Sequence, residues 1–379
     1  FEKRGAIGVI TVDNPPVNAL SPGVPEGMAE CVSKGNADPD VKAMVLIGEG
    51  GKFIAGADIK QMGKGNTTPT EWRATVEMSE KPVVAAIQGY ALGGGLETAM
   101  LCNYRIASDT AKIGQPEVAI GIIPGAGGTQ RVPRLAGVQA SLDMIVGGEH
   151  YPSSEGMALG ILDEIYPDEG FLDAAIAYAG NIAEVRPLPR VRDSDAKLED
   201  AKNDPGIFEA MRKKIARKAR NQRAPYACIE AVEAAVSLPF DEGLAKEREL
   251  FKALVGEDEA KSLRYAFFTE RQARNVPDIP KDTPITKVAS IAVIGGGTMG
   301  SGITMTCADA GLPVRILEMN DEALSKAMER IRNTYEVSAK RGSITAAEIE
   351  ERMARITPVT AYSDLSDCDM VIEAVFERM

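Results

Sequence analysis

The sequence predicts an α/β protein built as two glycine-punctuated modules, and three observations carry that reading. Apolar, strand-like runs at residues 8–12, 43–47, 82–87 and 118–123 alternate with helical patterns such as 96–101 and 141–146, as in layered α/β domains. From about Glu164 to Ala273 the pattern changes to long helical stretches, among them 208–220, 229–237 and 242–254. Residues 276–284 then carry three prolines in nine positions, a stiff extended linker, and a second strand, glycine loop and helix open at Ser290. The expected organisation is an α/β core over 1–168, a helical region over 169–275, a linker over 276–289 and a second, doubly wound sheet begun over 290–379. The two triple-glycine stretches have different flanks, so they are not an internal repeat.

Composition narrows the function classes. A chain of 379 residues makes two or three domains at roughly 100–200 residues each. With 44% hydrophobic and 26% charged residues it is not a disordered chain. No apolar run approaches the roughly 18 residues of a membrane span. The net charge of −12 argues against a partner held by phosphate neutralisation, so no nucleic acid is expected. Five cysteines (Cys31, Cys102, Cys228, Cys307, Cys368) lie far apart without a Cys-x-x-Cys pair. They read as buried thiols of a reducing compartment, with neither a disulfide framework nor a metal site. The one histidine, His150, excludes any site that needs two, and reads as structural or solvent-exposed. Acid/base chemistry therefore falls to carboxylates. Starting at Phe1 and stopping at Met379 just after an apolar run, the chain reads as a piece of a longer one.

The first glycine-rich stretch, 88–101, reads Gln-Gly-Tyr-Ala-Leu-Gly-Gly-Gly-Leu-Glu-Thr-Ala-Met-Leu. Three glycines followed by good helix formers put Gly94 at a helix N-terminus, where free N–H groups and the dipole favour developing negative charge. Glu97 falls in the first helical turn, and Glu117 follows twenty residues later in Ile-Gly-Gln-Pro-Glu-Val. Upstream, Phe-Ile-Ala-Gly-Ala-Asp-Ile-Lys at 53–60 offers a second exposed N–H, assigned to Ala55. Two donors and two carboxylates suffice for proton transfer beside a carbonyl that becomes enolate-like. On spacing alone, packing glycines and surface glutamates are the stronger account of the same residues.

Five motifs in order change that balance: Asn-Pro-Pro-Val-Asn-Ala-Leu at 14–20, Ala-Gly-Ala-Asp at 55–58, Gly-Gly-Gly-Leu-Glu at 93–97, Gly-Gln-Pro-Glu at 114–117 and Pro-Gly-Ala-Gly-Gly-Thr-Gln at 124–130. Together they resemble the crotonase (enoyl-CoA hydratase/isomerase) superfamily across about residues 1–167, with family-like helices continuing to about 274. The resemblance implies a crotonase-type α/β module acting on a coenzyme A thioester. The N–H groups of Ala55 and Gly94 would hold the thioester oxygen, Gly56 and Asp58 would sit at the substrate, and Glu97 and Glu117 would be the acid/base pair. Because both carboxylates are present, it implies hydration of a 2-enoyl thioester. A Δ3,Δ2-enoyl-CoA isomerase and a binding scaffold without turnover are the alternatives.

The second glycine-rich stretch, Ser-Ile-Ala-Val-Ile-Gly-Gly-Gly-Thr-Met-Gly-Ser-Gly at 290–302, is a strand, then Gly295-x-Gly297-x-x-Gly300, then a helix. A second strand ends in Glu318, 23 residues after the first glycine and close to the expected ~20. This is a Rossmann-type dinucleotide pattern. Gly295, Gly297, Thr298, Met299 and Gly300 would meet a pyrophosphate, and Glu318 a ribose hydroxyl, which favours NAD over NADP. With Asp-Met-Val-Ile-Glu-Ala-Val-Phe-Glu at 369–377, the stretch resembles the NAD-binding half of 3-hydroxyacyl-CoA dehydrogenases. The whole order of modules resembles the bifunctional hydratase/dehydrogenases of fatty-acid β-oxidation. That resemblance implies acyl-CoA substrates and a cytoplasmic location, or a peroxisomal one in a eukaryote, and leaves self-association open. The family's dehydrogenase His–Glu pair would lie beyond residue 379, so no dehydrogenase catalytic residue is assigned.

Two further features have competing explanations. Residues 212–220 hold six basic side chains in nine, a solvated helix face more readily than a coenzyme A or channelling surface. By family analogy, 67–72 with Trp72 forms a mobile loop over the acyl pocket.

Overall fold

The computed structural model describes residues 1–62, 70–273, 275–280 and 282–376, in two compact units, Phe1–Asn275 and Val276–Met379. The first unit opens with β1 (Glu2–Arg4), β2 (Ile7–Val12), α1 (Val24–Ala37), β3 (Ala43–Gly48), α2 (Glu71–Glu77), β4 (Val83–Ile87), β5 (Tyr90–Leu92) and α3 (Gly94–Leu101). It continues with β6 (Tyr104–Ser108), β7 (Lys112–Gly114), α4 (Gly128–Ala136), α5 (Val138–Gly147), β8 (His150–Pro152), α6 (Ser153–Ala158), β9 (Glu164–Tyr166) and α7 (Phe171–Asn181). Helices α8 (Glu199–Asn203), α9 (Gly206–Ile215), α10 (Ala224–Ser237), α11 (Phe240–Val255) and α12 (Asp258–Ala273) complete it. Residues 169–275, separated as a helical region on sequence, belong to the same compact unit as the α/β core.

Six strands form the main sheet in the order β1-β2-β3-β4-β6-β9, parallel except for the β1–β2 pair. Its central strands are apolar throughout because both faces are covered. Phe171, Ala175 and Tyr178 of α7 pack on Val45, Val84 and Ile106 from one side. Met44, Leu46 and Ala85 join Leu96, Met100, Val132, Leu142 and Ile229 in the core on the other. A small sheet, β5-β7-β8, stands beside α3 and carries the chain from the first glycine motif to Glu117.

The second unit begins with β10 (Ile291–Ile294), α13 (Thr298–Asp309), β11 (Val314–Leu317) and α14 (Asp321–Lys340). It ends with α15 (Ala346–Ala354), β12 (Ile356–Val359) and β13 (Met370–Glu373). Its four strands are all parallel in the order β12-β11-β10-β13, and Val293, Ile316, Ala327, Ile331 and Tyr335 fill its core.

Several expectations need correction. The run 118–123 is not a strand: a 3-10 turn, Pro116–Ile120, closes at Gly121 with φ of 73°. Its apolar residues face the core and a cavity, and a short apolar run cannot by itself tell these cases apart. Helix α9 stops at Ile215, so the basic stretch 212–220 is only partly helical. Arg212, Lys213 and Lys214 of that stretch pair with Glu233, Glu209 and Asp143 on the surface. Trp72 lies in α2 and is 7% exposed, not on a loop, while 67–69 lie outside the described residues. Of the cysteines, only Cys102 and Cys228 are fully buried, and all five are free. Among the described residues no helix is long and apolar enough to cross a membrane, and no cluster of ligands could hold a metal ion.

Gly95 shows how closely α3 is seated. A Cβ there would stand 1.8 Å from the Ile54 carbonyl oxygen, a backbone atom that cannot step aside. Gly95→Ala should therefore destabilise the first unit by about 3 kcal/mol. Trp72 is the chain's single tryptophan, so its fluorescence in urea reports this unit alone. An unchanged midpoint would show that the helix can shift freely.

Candidate active site

Helix α3 brings its N-terminus and Glu97 to the edge of a cavity of about 470 Å³. Ala55, Gly56, Ala57, Gly93, Gly94, Glu97, Glu117 and Ala126 line it, with Trp72, Leu101 and Ile122 supplying apolar wall. The position of Gly94 as the first residue of α3 leaves its N–H without an intrahelical acceptor. A Cβ built on Gly94 would lie 3.2 Å from the Ala57 nitrogen, so the two amides are neighbours.

Two assignments made on sequence change here. The Ala55 N–H donates to the Val17 carbonyl at 3.2 Å and is already used, whereas the Ala57 N–H has no acceptor among the described residues. Ala57 therefore replaces Ala55 as the amide beside Gly94. Asp58 does not line the cavity: it accepts from the Lys60 N–H at 3.1 Å and the Ser21 hydroxyl at 3.2 Å, fastening the loop that carries Ala57. Gly56 does line the cavity, and its carbonyl accepts from the Leu20 N–H at 2.9 Å.

Glu97 is buried, and one of its oxygens accepts from the N–H groups of Ala126 at 2.7 Å and Gly128 at 2.8 Å. Burial raises its pKa, opposed by the charge of Arg73 and by those two amides. Glu117 is half-buried on the 3-10 turn and faces the same cavity. With its amide turned to donate, Gln115 reaches both Glu117 oxygens, at 3.2 and 3.1 Å. Burial and the neighbouring Glu97 charge hold Glu117 well above the usual carboxylate range. Gly93 is required by this arrangement, because a Cβ there would lie 2.5 Å from a Glu117 oxygen. His150 is largely exposed beside Tyr90 at the cavity wall, and the partial burial of its ring, with the nearby Lys112 charge, lowers its pKa.

Sequence reasoning missed a third carboxylate. Glu247 of α11 is 1% exposed and accepts from the N–H groups of Gly127 at 2.7 Å and Thr129 at 3.0 Å, and from the Thr129 hydroxyl at 2.5 Å. Four successive amides, 126 to 129, are thus bound alternately by Glu97 and Glu247 where α4 begins. A signal existed in the sequence. Glu247 falls in the buried stripe of α11 with Phe240, Gly243 and Leu254, where an acid needs a partner.

In the second unit Gly297 caps α13, and its side facing outward is open: a Cβ there would meet nothing within 4 Å. Gly300 has no such freedom, since a Cβ would stand 1.7 Å from the Gly295 carbonyl oxygen. Glu318 follows directly after β11 and accepts from the Gly296 N–H at 2.6 Å, holding its carboxylate over the glycine turn. An open helix N-terminus with an acid beside it fits a dinucleotide's pyrophosphate and ribose. Met299 is exposed at this face and Thr298 is the first residue of α13.

Both units are similar to known proteins. Residues 2–202 match the family model for enoyl-CoA hydratase/isomerase, and residues 290–379 match that for the 3-hydroxyacyl-CoA dehydrogenase NAD binding domain. The chain belongs to the enoyl-CoA hydratase/isomerase family. It is 38% identical over 382 residues to a peroxisomal bifunctional enzyme of Danio rerio, covering 99% of this chain and 52% of that protein. A peroxisomal fatty acid beta-oxidation multifunctional protein of Arabidopsis thaliana is 38% identical over 388 residues, covering 98% and 53%. The chain thus spans about half the length of these relatives. Among solved structures, a carnitinyl-CoA hydratase from Mycobacterium avium matches with a TM-score of 0.52 and 29% identity, covering 72% of this chain and 95% of that one.

Burial, reinforced by the Glu97 charge, pushes the Glu247 carboxyl up to about 8 against the pull of Thr129 and two amides. A carboxyl raised on folding binds its proton more tightly in the folded state. Its contribution to stability is then fully present below its ordinary value of 4.5 and is lost as pH rises through about 8. Glu247→Gln should shrink that decline, read from Trp72 unfolding midpoints below and above the window. A variant that declines as steeply as the parent would show that Glu247 does not titrate there.

Proposed function

We propose that the first unit hydrates 2-enoyl-CoA to 3-hydroxyacyl-CoA. The observation that carries this reading is one cavity holding two free amides, Ala57 and Gly94, and two carboxylates, Glu97 and Glu117, both raised by burial, with Glu97 alone held by two amides. The amides receive the thioester oxygen and stabilise the charge that grows on it as the acyl group becomes enolate-like. Glu97, held by two N–H groups that favour the carboxylate, takes a proton from water. The resulting hydroxide bonds to C3. Glu117, whose proton is bound more tightly through burial and the Glu97 charge, gives its proton to C2. Water is consumed, no other bond is broken, and proton exchange with solvent restores the pair. The same carboxylates could move a proton between C2 and C4, so a 3-enoyl-CoA measures any isomerase activity separately.

The relatives' names favour fatty-acid β-oxidation in a peroxisome as the setting. The second unit is proposed to bind NAD, with the amides of Gly297, Thr298, Met299 and Gly300 at the pyrophosphate, Gly295 forming the turn and Glu318 at a ribose hydroxyl. Bound NAD would supply the hydride acceptor for oxidising a 3-hydroxyacyl product, a reaction for which no base is assigned among these residues. Glu318→Ala should weaken NAD binding roughly tenfold or more, the scale of a hydrogen bond to a charged group, as measured by calorimetry. Equal affinity in parent and variant would take Glu318 out of the site.

Glu97→Gln and Glu117→Gln should each lower kcat at least ~10²-fold, the scale of general acid or base catalysis. One carboxyl must be ionised and the other protonated, so kcat/KM should be bell-shaped in pH. Both limbs belong to the pair and lie above the ordinary carboxylate range, because burial raises both groups. Near-parent hydration in either variant would remove that residue from the mechanism.

A further inference from the structure

Glu247 is the buried acid that the proposed hydration does not use. It comes from α11 and does not line the cavity, yet it shares one turn with Glu97. A single Glu97 oxygen takes the amides of Ala126 and Gly128. The two Glu247 oxygens take the amides of Gly127 and Thr129 and the Thr129 hydroxyl. Among the described residues the second Glu97 oxygen accepts no hydrogen bond, which leaves it available to take a proton in the cavity that Glu97 lines.

The turn cannot anchor itself through side chains. Gly127 holds a φ of 98°, and a Cβ there would stand 1.8 Å from the Arg131 guanidinium. A Cβ on Gly128 would stand 3.0 Å from the bound Glu97 oxygen. Two adjacent glycines make the most pliant backbone available, so the turn rests where its amides are bound. Glu247 binds two of the four, and the Thr129 hydroxyl is braced in turn by Gln130, which also donates to the Ala231 carbonyl. Without the Glu247 carboxyl, the amides of Gly127 and Thr129 would be buried and unpaired, and the turn would shift to satisfy them. Ala126 and Gly128 alternate with those residues and would move too, together with the Glu97 oxygen they hold. The amides of Ala57 and Gly94 belong to other segments, so the thioester would keep its grip.

We propose that Glu247 is a positioning residue for the hydration, fixing through the turn at 126–129 the orientation in which Glu97 meets water. This rests on the hydratase reading above. The test is a double-mutant cycle on kcat, with hydration of a 2-enoyl-CoA followed as loss of enoyl-thioester absorbance. Glu247→Ala removes every acceptor and should lower kcat roughly 10²-fold, the scale of a misplaced catalytic group. Glu247→Gln keeps the shape and one acceptor oxygen, and should lose only about tenfold. KM should change by less than about threefold in both, since uniform binding is untouched. In a Glu97→Gln background neither change should lower kcat by more than about twofold, because the group being positioned is already silent. In a Glu117→Gln background the full loss should persist. Thr129→Val removes one donor to Glu247 and should cost about threefold, while Thr129→Ser restores the hydroxyl and the rate; this pair and Glu247→Gln decide the matter should Glu247→Ala fail to fold. Parent kcat in the Glu247 variants would overturn the proposal. So would an equal loss in the parent and Glu97→Gln backgrounds, which marks general damage, or a loss that vanishes with Glu117, which routes the effect through the other acid. If the parent hydrates no 2-enoyl-CoA, the hydratase reading falls and takes this proposal with it; hydration indifferent to Glu247 removes the proposal alone.

Discussion

Four backbone amides at the start of α4 are held by two buried carboxylates, and the cavity is organised around that clamp. Glu97 reaches the amides of Ala126 and Gly128 from α3, and Glu247 reaches those of Gly127 and Thr129 from α11. A helix N-terminus presents unpaired N–H groups and partial positive charge, so it can keep two acids in place where the interior would otherwise expel them. The network extends further. Gln130 donates to the Thr129 hydroxyl and to the Ala231 carbonyl of α10, and Arg131 ties the same turn to Glu77 of α2. Four helices are thereby fixed to the six residues, 126–131, where α4 begins.

That constraint explains why the helical region is part of the same unit as the α/β core. The region supplies Glu247 to the clamp and Phe251, Phe267 and Arg271 to the cavity wall. It also separates the two acids facing the cavity. Glu97 is bound by amides that favour its charge, whereas Glu117 has no amide from that turn and lies within reach of the Glu97 charge. Two chemically identical side chains acquire different proton affinities from their surroundings, which is what an acid/base pair requires. The second unit uses the same physics on a smaller scale, with Glu318 set against the amide of Gly296 just ahead of α13.

The sequence by itself determined the fold class, the two glycine-rich turns and the pair Glu97 and Glu117, because each is written in contiguous residues. A glycine run before a helix specifies a close approach and an open N-terminus locally, and ordered motifs keep their spacing whatever packs around them. The apolar run 118–123 was misread for the converse reason: its burial comes from the cavity and core, and a 3-10 turn ended by Gly121 buries the same residues as a strand would. Only the tertiary structure decided which amide is free, since the Ala55 N–H is consumed by Val17, some forty residues earlier in the chain, while Ala57 beside Gly94 is left open. It also decided that Asp58 fastens a loop and that Glu247 crosses 118 residues to reach Thr129. Hydrogen-bond partners far apart in sequence leave no local pattern, and whether a polar group is spent or available depends on its neighbours in space.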